Sequence, residues 1–422
     1  MASLTTSGSD SAARVENVLI ARQPIFDRYQ GLFGYELLFR DTAANQSGLN
    51  GDDVEAGDAA SATTINNSLN LVGLQALTGG KKALINVTRK VVVDEIYTVL
   101  PRELVILELL ETVDPDAEVI EACRKLKDAG YELALDDFVF HPRFKPLLEL
   151  TDILKVDFLL SNRDQRKMMA EQFGGRMRLL AEKVETHEDV AQATRLGYTY
   201  FQGFYYCKPQ LLSSRQVPAG KHNHVRFLEE VNREDASFER LESVVKQEMS
   251  LSVKLLRYLN SAAFSLRSQV TSIKHAMALM GLDQLRKWAS LVAMTSIAEP
   301  RGAQLVATCL ARARFCELVG ATMRPAPSDM HLFLAGLLSC IDAMLGCRMT
   351  DVLAQLSLPS DVKLALLGAR NRLREVLDLA LAHEQADWRR VTSLSATLGV
   401  TASTIARAGH EAARWSDRVS AI

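Results

Sequence analysis

Seven short apolar runs in the first 210 residues each end in, or run into, a side chain able to do chemistry. These are Glu36, Asn86, Glu108, the pair Asp136 and Asp137, Lys155 with Asp157 two residues on, Glu182, and Gln202. Carboxylates gathered in one partly desolvated place repel each other, and each is pushed toward protonation. Bound divalent cations reverse that penalty. A donor set made of carboxylates and the Asn86 amide suits Mg²⁺ or Mn²⁺ better than zinc. Two such ions roughly 4 Å apart position a water and stabilise both oxygens of a phosphoryl displacement. Lys155 can neutralise developing charge there, and Arg40 can hold a phosphate oxygen. The residues alone therefore point to a metal-dependent phosphodiester site.

Such convergence needs a scaffold. From Asn17 to about Pro209 the chain alternates short apolar runs with longer amphipathic ones: Val18–Ala21, Gly34–Phe39, Ala83–Val87, Leu104–Leu109, Glu132–Asp136, Ile153–Val156, Arg178–Ala181 and Tyr198–Phe201. Runs of this length, bounded by polar residues, suit buried strands. Between them lie helical patterns such as Pro115–Gly130 and His187–Gly197, each ending in the glycine that commonly stops a helix. Strand and helix in alternation imply a parallel sheet with crossover helices, and eight units close a (β/α)8 barrel whose strand ends meet at one mouth. One join departs from this rule. Only Pro24–Leu32 separates the first two runs, too short for a parallel crossover, so a hairpin with an antiparallel first strand is expected.

These residues resemble the EAL domain, the family that hydrolyses the bacterial second messenger cyclic di-GMP to linear pGpG. The naming signature stands as Glu36-Leu37-Leu38-Phe39-Arg40 and the Asn motif as Leu84-Ile85-Asn86-Val87. Glu108-Leu109-Leu110-Glu111, Asp136-Asp137-Phe138, Lys155-Val156-Asp157, Glu182-Lys183-Val184-Glu185-Thr186 and Gln202-Gly203-Phe204 follow in family order. The resemblance implies that Glu36, Asn86, Glu108 and Asp136 hold Mg²⁺ or Mn²⁺, with Asp137 and Asp157 completing a second metal site. It makes Glu182 the general base or a metal-linked acid, and has Lys155 orient the attacking water. With Glu36 these form the catalytic set, while Gln23, Arg40 and Gln202 would touch the ligand.

Two departures from the family pattern stand out. Phe138 is followed by Val139-Phe140-His141-Pro142-Arg143, with no glycine to permit a positive φ, and Lys183 occupies the glycine position of Glu-Gly-Val-Glu, adding a cation near the mouth. His141 and His187, one in a loop and one at a helix start, are read as structural.

Past a polar joint at residues 211–222, which contains Pro218 and Gly220, the pattern turns helical. Phe238–Glu248 and Ser250–Leu259 carry apolar faces at helical spacing. The run Leu251–Ala262 and the stretch from Ser272 to Trp288 resemble the HDOD domain, a relative of the HD hydrolases that generally lacks their metal-binding His-Asp pair. Ser339-Cys340 stands where the hydrolases have that pair, and neither side chain replaces an imidazole or a carboxylate on a hard metal. The expected architecture is thus α/β plus all-α: a tail over 1–14, a modified barrel with an antiparallel first strand over 15–210, a linker over 211–222, and an all-helical HDOD bundle over 223–422.

Composition narrows the rest. With 422 residues the chain suits two domains; 48% apolar and 24% charged residues exclude a disordered chain. A net charge of −2 argues against strong non-specific nucleic-acid binding. Six cysteines without C-x-x-C spacing read as core thiols in a reducing, cytoplasmic setting, and no apolar run is long enough for a membrane span. Leu394–Arg407 has helix-turn-helix spacing with Gly399 at the turn, but packed helix pairs use the same turn, and DNA binding is the disfavoured reading. Three functions stay open: cyclic di-GMP hydrolysis of reduced efficiency, cyclic di-GMP sensing without turnover, and a protein-interaction platform. A protein partner through the HDOD half and a homodimer are further expectations from the resemblance.

Overall fold

The structure is a computed structural model that describes residues 18–29, 31–41, 73–136, 142–203, 222–233, 273–298 and 303–420. The chain divides into two compact units, the first made of residues 1–205, 383–388 and 401–407, the second of 206–382, 389–400 and 408–422.

The first unit is a closed eight-stranded barrel with its strands in sequence order. β1 (Val18–Asp27) and β2 (Leu32–Asp41) form the expected hairpin, and β1 is antiparallel to both neighbours, β2 and β8. The Asp27 side chain builds the turn: its Oδ1 accepts from the Tyr29 and Gly31 N–H groups, each at 2.8 Å. β1 extends well past the apolar run Val18–Ala21, through Pro24. That proline is tolerated because β1 meets β8 only over Ile25–Asp27, so on one side Pro24 has no ladder to serve.

The remaining strands are parallel. After α1 (Leu74–Thr78) come β3 (Lys82–Val87), α2 (Arg89–Val93), β4 (Val105–Leu109), α3 (Ala117–Asp128) and β5 (Glu132–Leu135). Then follow α4 (Lys145–Leu148), β6 (Ile153–Asp157), α5 (Arg163–Phe173), β7 (Arg178–Glu182), α6 (His187–Arg195) and β8 (Tyr200–Gln202). Helix starts are fixed by their own caps: Asp116 accepts from Val119 N–H, and capping boxes join Asn162 with Gln165 and Thr186 with Asp189. Thr186, the last residue of its motif, is thus a helix cap.

The strand period of two sorts the side chains into layers. Leu37, Ile85, Leu107, Leu133, Leu154 and Leu179 are among those facing outward into the core that holds the helices. Inside, Ile25, Leu84, Ile106, Ala134, Ile153, Leu180 and Tyr200 form an apolar plug. Below it, Lys82 and Arg178 both pair with Glu132.

The rest of the chain has only helices as regular elements among its described residues, as the sequence pattern predicts, and most of it belongs to the second unit. It comprises α7 (His222–Asn232), α8 (Ile273–Ala298, broken at Gly281 with φ 75°), α9 (Ala303–Gly320), α10 (Asp329–Leu337), α11 (Ile341–Leu345), α12 (Met349–Ala354), α13 (Ser360–Leu366), α14 (Arg372–Glu384), α15 (Trp388–Leu398) and α16 (Ala402–Ser420). The segments Phe238–Glu248 and Ser250–Leu259 lie outside the described residues. Gly336 of α10 is required by packing: a Cβ there would come within 2.6 Å of the Arg312–Ala313 backbone of α9. Gly399 turns α15 into α16 with φ 68°, and the Thr401 hydroxyl accepts from Thr404 N–H at the start of α16.

Candidate metal centre at the barrel mouth

The site is the next layer up from the apolar plug. Two residues beyond Leu84, Ile106, Ala134, Ile153, Leu180 and Tyr200 stand Asn86, Glu108, Asp136, Lys155, Glu182 and Gln202; on antiparallel β1, Gln23 stands two residues before Ile25. Glu36 joins from β2, opposite Gln23 in the ladder. The same alternation that fills the barrel with aliphatic side chains therefore aims one polar residue per strand into the mouth.

At the centre is Lys155, 1% exposed. Its ammonium hydrogen-bonds to Glu108, and lies 2.7 Å from Glu182, 3.0 Å from Asp136 and 3.5 Å from Glu36. Sequence reasoning gave this lysine a water-orienting role and missed that it is the cation on which four carboxylates converge. The missed signal is its parity with Ile153, which puts it in the barrel rather than on the rim. Gln202 Nε2 donates to Glu36 Oε2 at 2.6 Å and to Gln23 Oε1 at 2.9 Å, locking three predicted residues together.

One ammonium does not neutralise this cluster. Burial, with the negative charges of Glu36, Asp136 and Glu182, pushes Glu108 well above the usual carboxylate range despite Lys155. Burial pushes Glu182 up to about 8, again against the pull of Lys155. Burial alone would weaken the Lys155 ammonium, but the surrounding carboxylates outweigh it and hold its pKa well above the usual range. Three acceptor oxygens here, Asn86 Oδ1, Glu108 Oε2 and Gln202 Oε1, are buried without a hydrogen-bond donor. Surplus negative charge and orphaned oxygens on Asn86 and Glu108 fit a hard divalent cation. The side chains close on Lys155 here, and no three His, Cys, Asp or Glu side chains form a ready-made cage among the described residues.

Asp157, two residues above Lys155 on the same strand face, is engaged differently. Its Oδ1 accepts from Leu159 N–H at 2.6 Å and Leu160 N–H at 2.9 Å, and its Oδ2 pairs with Lys183. Burial would raise its pKa, but Lys183 and the backbone donors outweigh it and hold the carboxyl below its ordinary range. Arg40 lies four residues beyond Glu36 on the same strand, half-buried, with its pKa lowered by burial. Asp137 and His141 fall outside the described residues, and His187 opens α6.

In the helical unit Ser339 and Cys340 lie at the join of α10 and α11. The buried Arg312 guanidinium donates to Ser339 Oγ at 3.0 Å and Cys340 Sγ at 2.9 Å. A fixed cation thus lies against the Ser339-Cys340 pair. The Cys340 thiol is buried, as are those of Cys123, Cys309, Cys316 and Cys347. His331 Nδ1 lies 2.8 Å from Asp361 Oδ2. No described helix is long and apolar enough to cross a membrane.

The closed barrel with an antiparallel first strand and its ring of acidic residues match the EAL pattern, and the sequence comparisons agree. The EAL domain matches over residues 68–209 and the HDOD domain over 217–358. The cyclic di-GMP phosphodiesterase CdgJ of Vibrio cholerae is 33% identical over 408 residues, covering 96% of this chain and 93% of that protein. The uncharacterized protein YuxH of Bacillus subtilis is 31% identical over 387 residues, covering 89% and 93%. Among solved structures, a standalone EAL protein from Vibrio cholerae in its c-di-GMP bound form is 25% identical with a TM-score of 0.35, covering 46% of this chain and 92% of that one. The chain belongs to the family of two-domain proteins in which an EAL domain is followed by an HDOD domain.

Proposed function

We propose that the barrel hydrolyses cyclic di-GMP to linear pGpG with Mg²⁺ or Mn²⁺, and that the helical unit is a non-catalytic output or regulatory domain. The observation that carries this reading is the ring of oxygen donors around Lys155, with buried acceptors on Asn86 and Glu108 that nothing satisfies. Glu36, Asn86, Glu108 and Asp136 would hold the metal; Asp137 and Asp157 are the residues to which the family resemblance gives a second one. A bound divalent ion there would polarise the phosphate and lower the pKa of water.

The chain's own residues do the rest. Glu182, 2.7 Å from the Lys155 ammonium at the mouth, would take a proton from the attacking water. As the water oxygen bonds to phosphorus, one P–O ester bond breaks, and the departing ribose oxygen takes up a proton from solvent, to which Glu182 later gives up its own. Lys155 stays an ammonium throughout and holds Glu108, Glu182 and Asp136 in fixed positions. Gln23, Gln202 and Arg40 would orient the ligand, Gln202 through its bonds to Gln23 and Glu36. The Ser339-Cys340 pair and the Arg312 cation beside it support a helical unit without metal chemistry. A cytoplasmic setting, a protein partner for that unit and pairing of two chains belong to the same reading.

Incubation with cyclic di-GMP and Mn²⁺, followed by chromatography, tests it. The native protein releases pGpG, and Glu36→Ala lowers the rate by about 100-fold or more. No product from the native protein, or an unchanged rate in E36A, overturns hydrolysis. Binding without product gives the sensor reading, which the Lys183–Asp157 pair favours.

A further inference from the structure

Lys183 is held in an unusual place by its neighbours. On one side, the Glu182 carbonyl accepts from Phe158 N–H at 3.1 Å; on the other, Val184 N–H donates to the Gln202 carbonyl at 3.0 Å. Gly203 allows that approach, since a Cβ there would fall 2.4 Å from Val184 N and O. With both flanking residues tied to adjacent strands, Lys183 is left in the left-handed region at φ 52°, a conformation that favours glycine. A lysine kept at such a position brings an ammonium to the mouth, where it pairs with Asp157. Asp157 is 6% exposed and its other oxygen already takes two backbone N–H groups, so both its oxygens are engaged.

We infer that Lys183 is a tethered cation standing in for one divalent ion: by holding Asp157 it limits the barrel mouth to a single bound metal. The inference rests on the metal reading above. A carboxylate that ligates a metal must give an oxygen to it, and Asp157 gives Oδ2 to Lys183 instead. Asn86 Oδ1 and Glu108 Oε2, which no donor satisfies, stay available for the remaining ion. Lys183 acts through Asp157 and is a positioning residue.

Mn²⁺ uptake by the full-length protein, measured by isothermal titration calorimetry and by the loss of free Mn²⁺ signal in electron paramagnetic resonance, tests this without any activity assay. The native protein takes up one Mn²⁺ per chain. Lys183→Gly, which relieves the backbone, and Lys183→Met, which removes only the charge, take up two; Lys183→Arg stays at one. Two ions in the native protein, or one in both K183G and K183M, overturns the inference and leaves the metal reading standing. Two in K183G with one in K183M assigns the effect to the backbone and overturns the tethered-cation account. No uptake by the native protein or any variant overturns the metal reading itself, and this inference with it.

Discussion

At the bottom of the barrel Glu132 sits between Lys82 and Arg178, whereas at the top a lone ammonium, Lys155, faces Glu36, Glu108, Asp136 and Glu182. The two polar layers are separated by one apolar layer and come from the same strands: Lys82 and Asn86 from β3, Glu132 from β5 with Asp136 just past its end, Arg178 and Glu182 from β7. Below, two cations share one acid and each is partly open to solvent. Above, acids outnumber the cation and acceptor oxygens are left over. Polar residues inside a barrel are thus not in themselves a site. The lower cluster ties the strands together, and the upper one stores a charge imbalance that only a further cation relieves.

Breaking the upper cluster should have the largest effect. Lys155→Met leaves four carboxylates around an apolar side chain, and stability falls by about 3–5 kcal/mol in urea unfolding, the usual cost of orphaning a buried charge. Adding Mn²⁺ restores part of that loss; no loss at all would mean the carboxylates simply take up protons. Asn86→Ala comes next. Its oxygen accepts no hydrogen bond, so thermal stability stays near native while Mn²⁺ affinity drops about tenfold or more by titration calorimetry. A large fall in melting temperature would make Asn86 structural.

The lower cluster should behave in the opposite way. Glu132→Gln leaves Lys82 and Arg178 side by side and costs about 1–2 kcal/mol, with Mn²⁺ uptake unchanged. Its pH dependence is the smallest effect and fixes the sign. Burial would raise the Glu132 carboxyl, yet hydrogen bonds from Arg178 and Lys82 outweigh it and hold the pKa below the ordinary value. Its contribution is present above that ordinary value and disappears as pH falls through the folded one. The stability gap between the native protein and E132Q should therefore close as pH is lowered from about 5 to about 3. A gap that widens there contradicts the pairing.

Much of this was legible in the residues. The short join Pro24–Leu32 gave the hairpin and the antiparallel β1, and apolar runs ending in acids gave the mouth. The order of the motifs named residues that the barrel gathers: Glu36, Asn86, Glu108, Asp136 and Glu182 all reach one layer. Depth was harder to read. Lys155 follows Ile153 and Leu154 as any strand-end lysine would, and nothing local says that four acids come from four other strands to meet it. Lys183 appeared in the sequence as an added cation, but its left-handed backbone depends on bonds to Phe158 and Gln202, about 20 residues away on either side. The length of β1 was hidden because Arg22, Gln23 and Pro24 interrupt its apolar pattern. In the helical half, Ser339-Cys340 could be singled out by resemblance, while Arg312, the cation beside it, lies 27 residues upstream in α9 without a motif of its own.

The most direct test is anomalous diffraction at the manganese edge from crystals of the full-length protein grown with Mn²⁺. The expected result is a peak at the barrel mouth about 2.2 Å from Asn86 Oδ1 and a Glu108 oxygen, with none beside Arg312. A mouth without a peak, its carboxylates still closed on Lys155, would contradict the account.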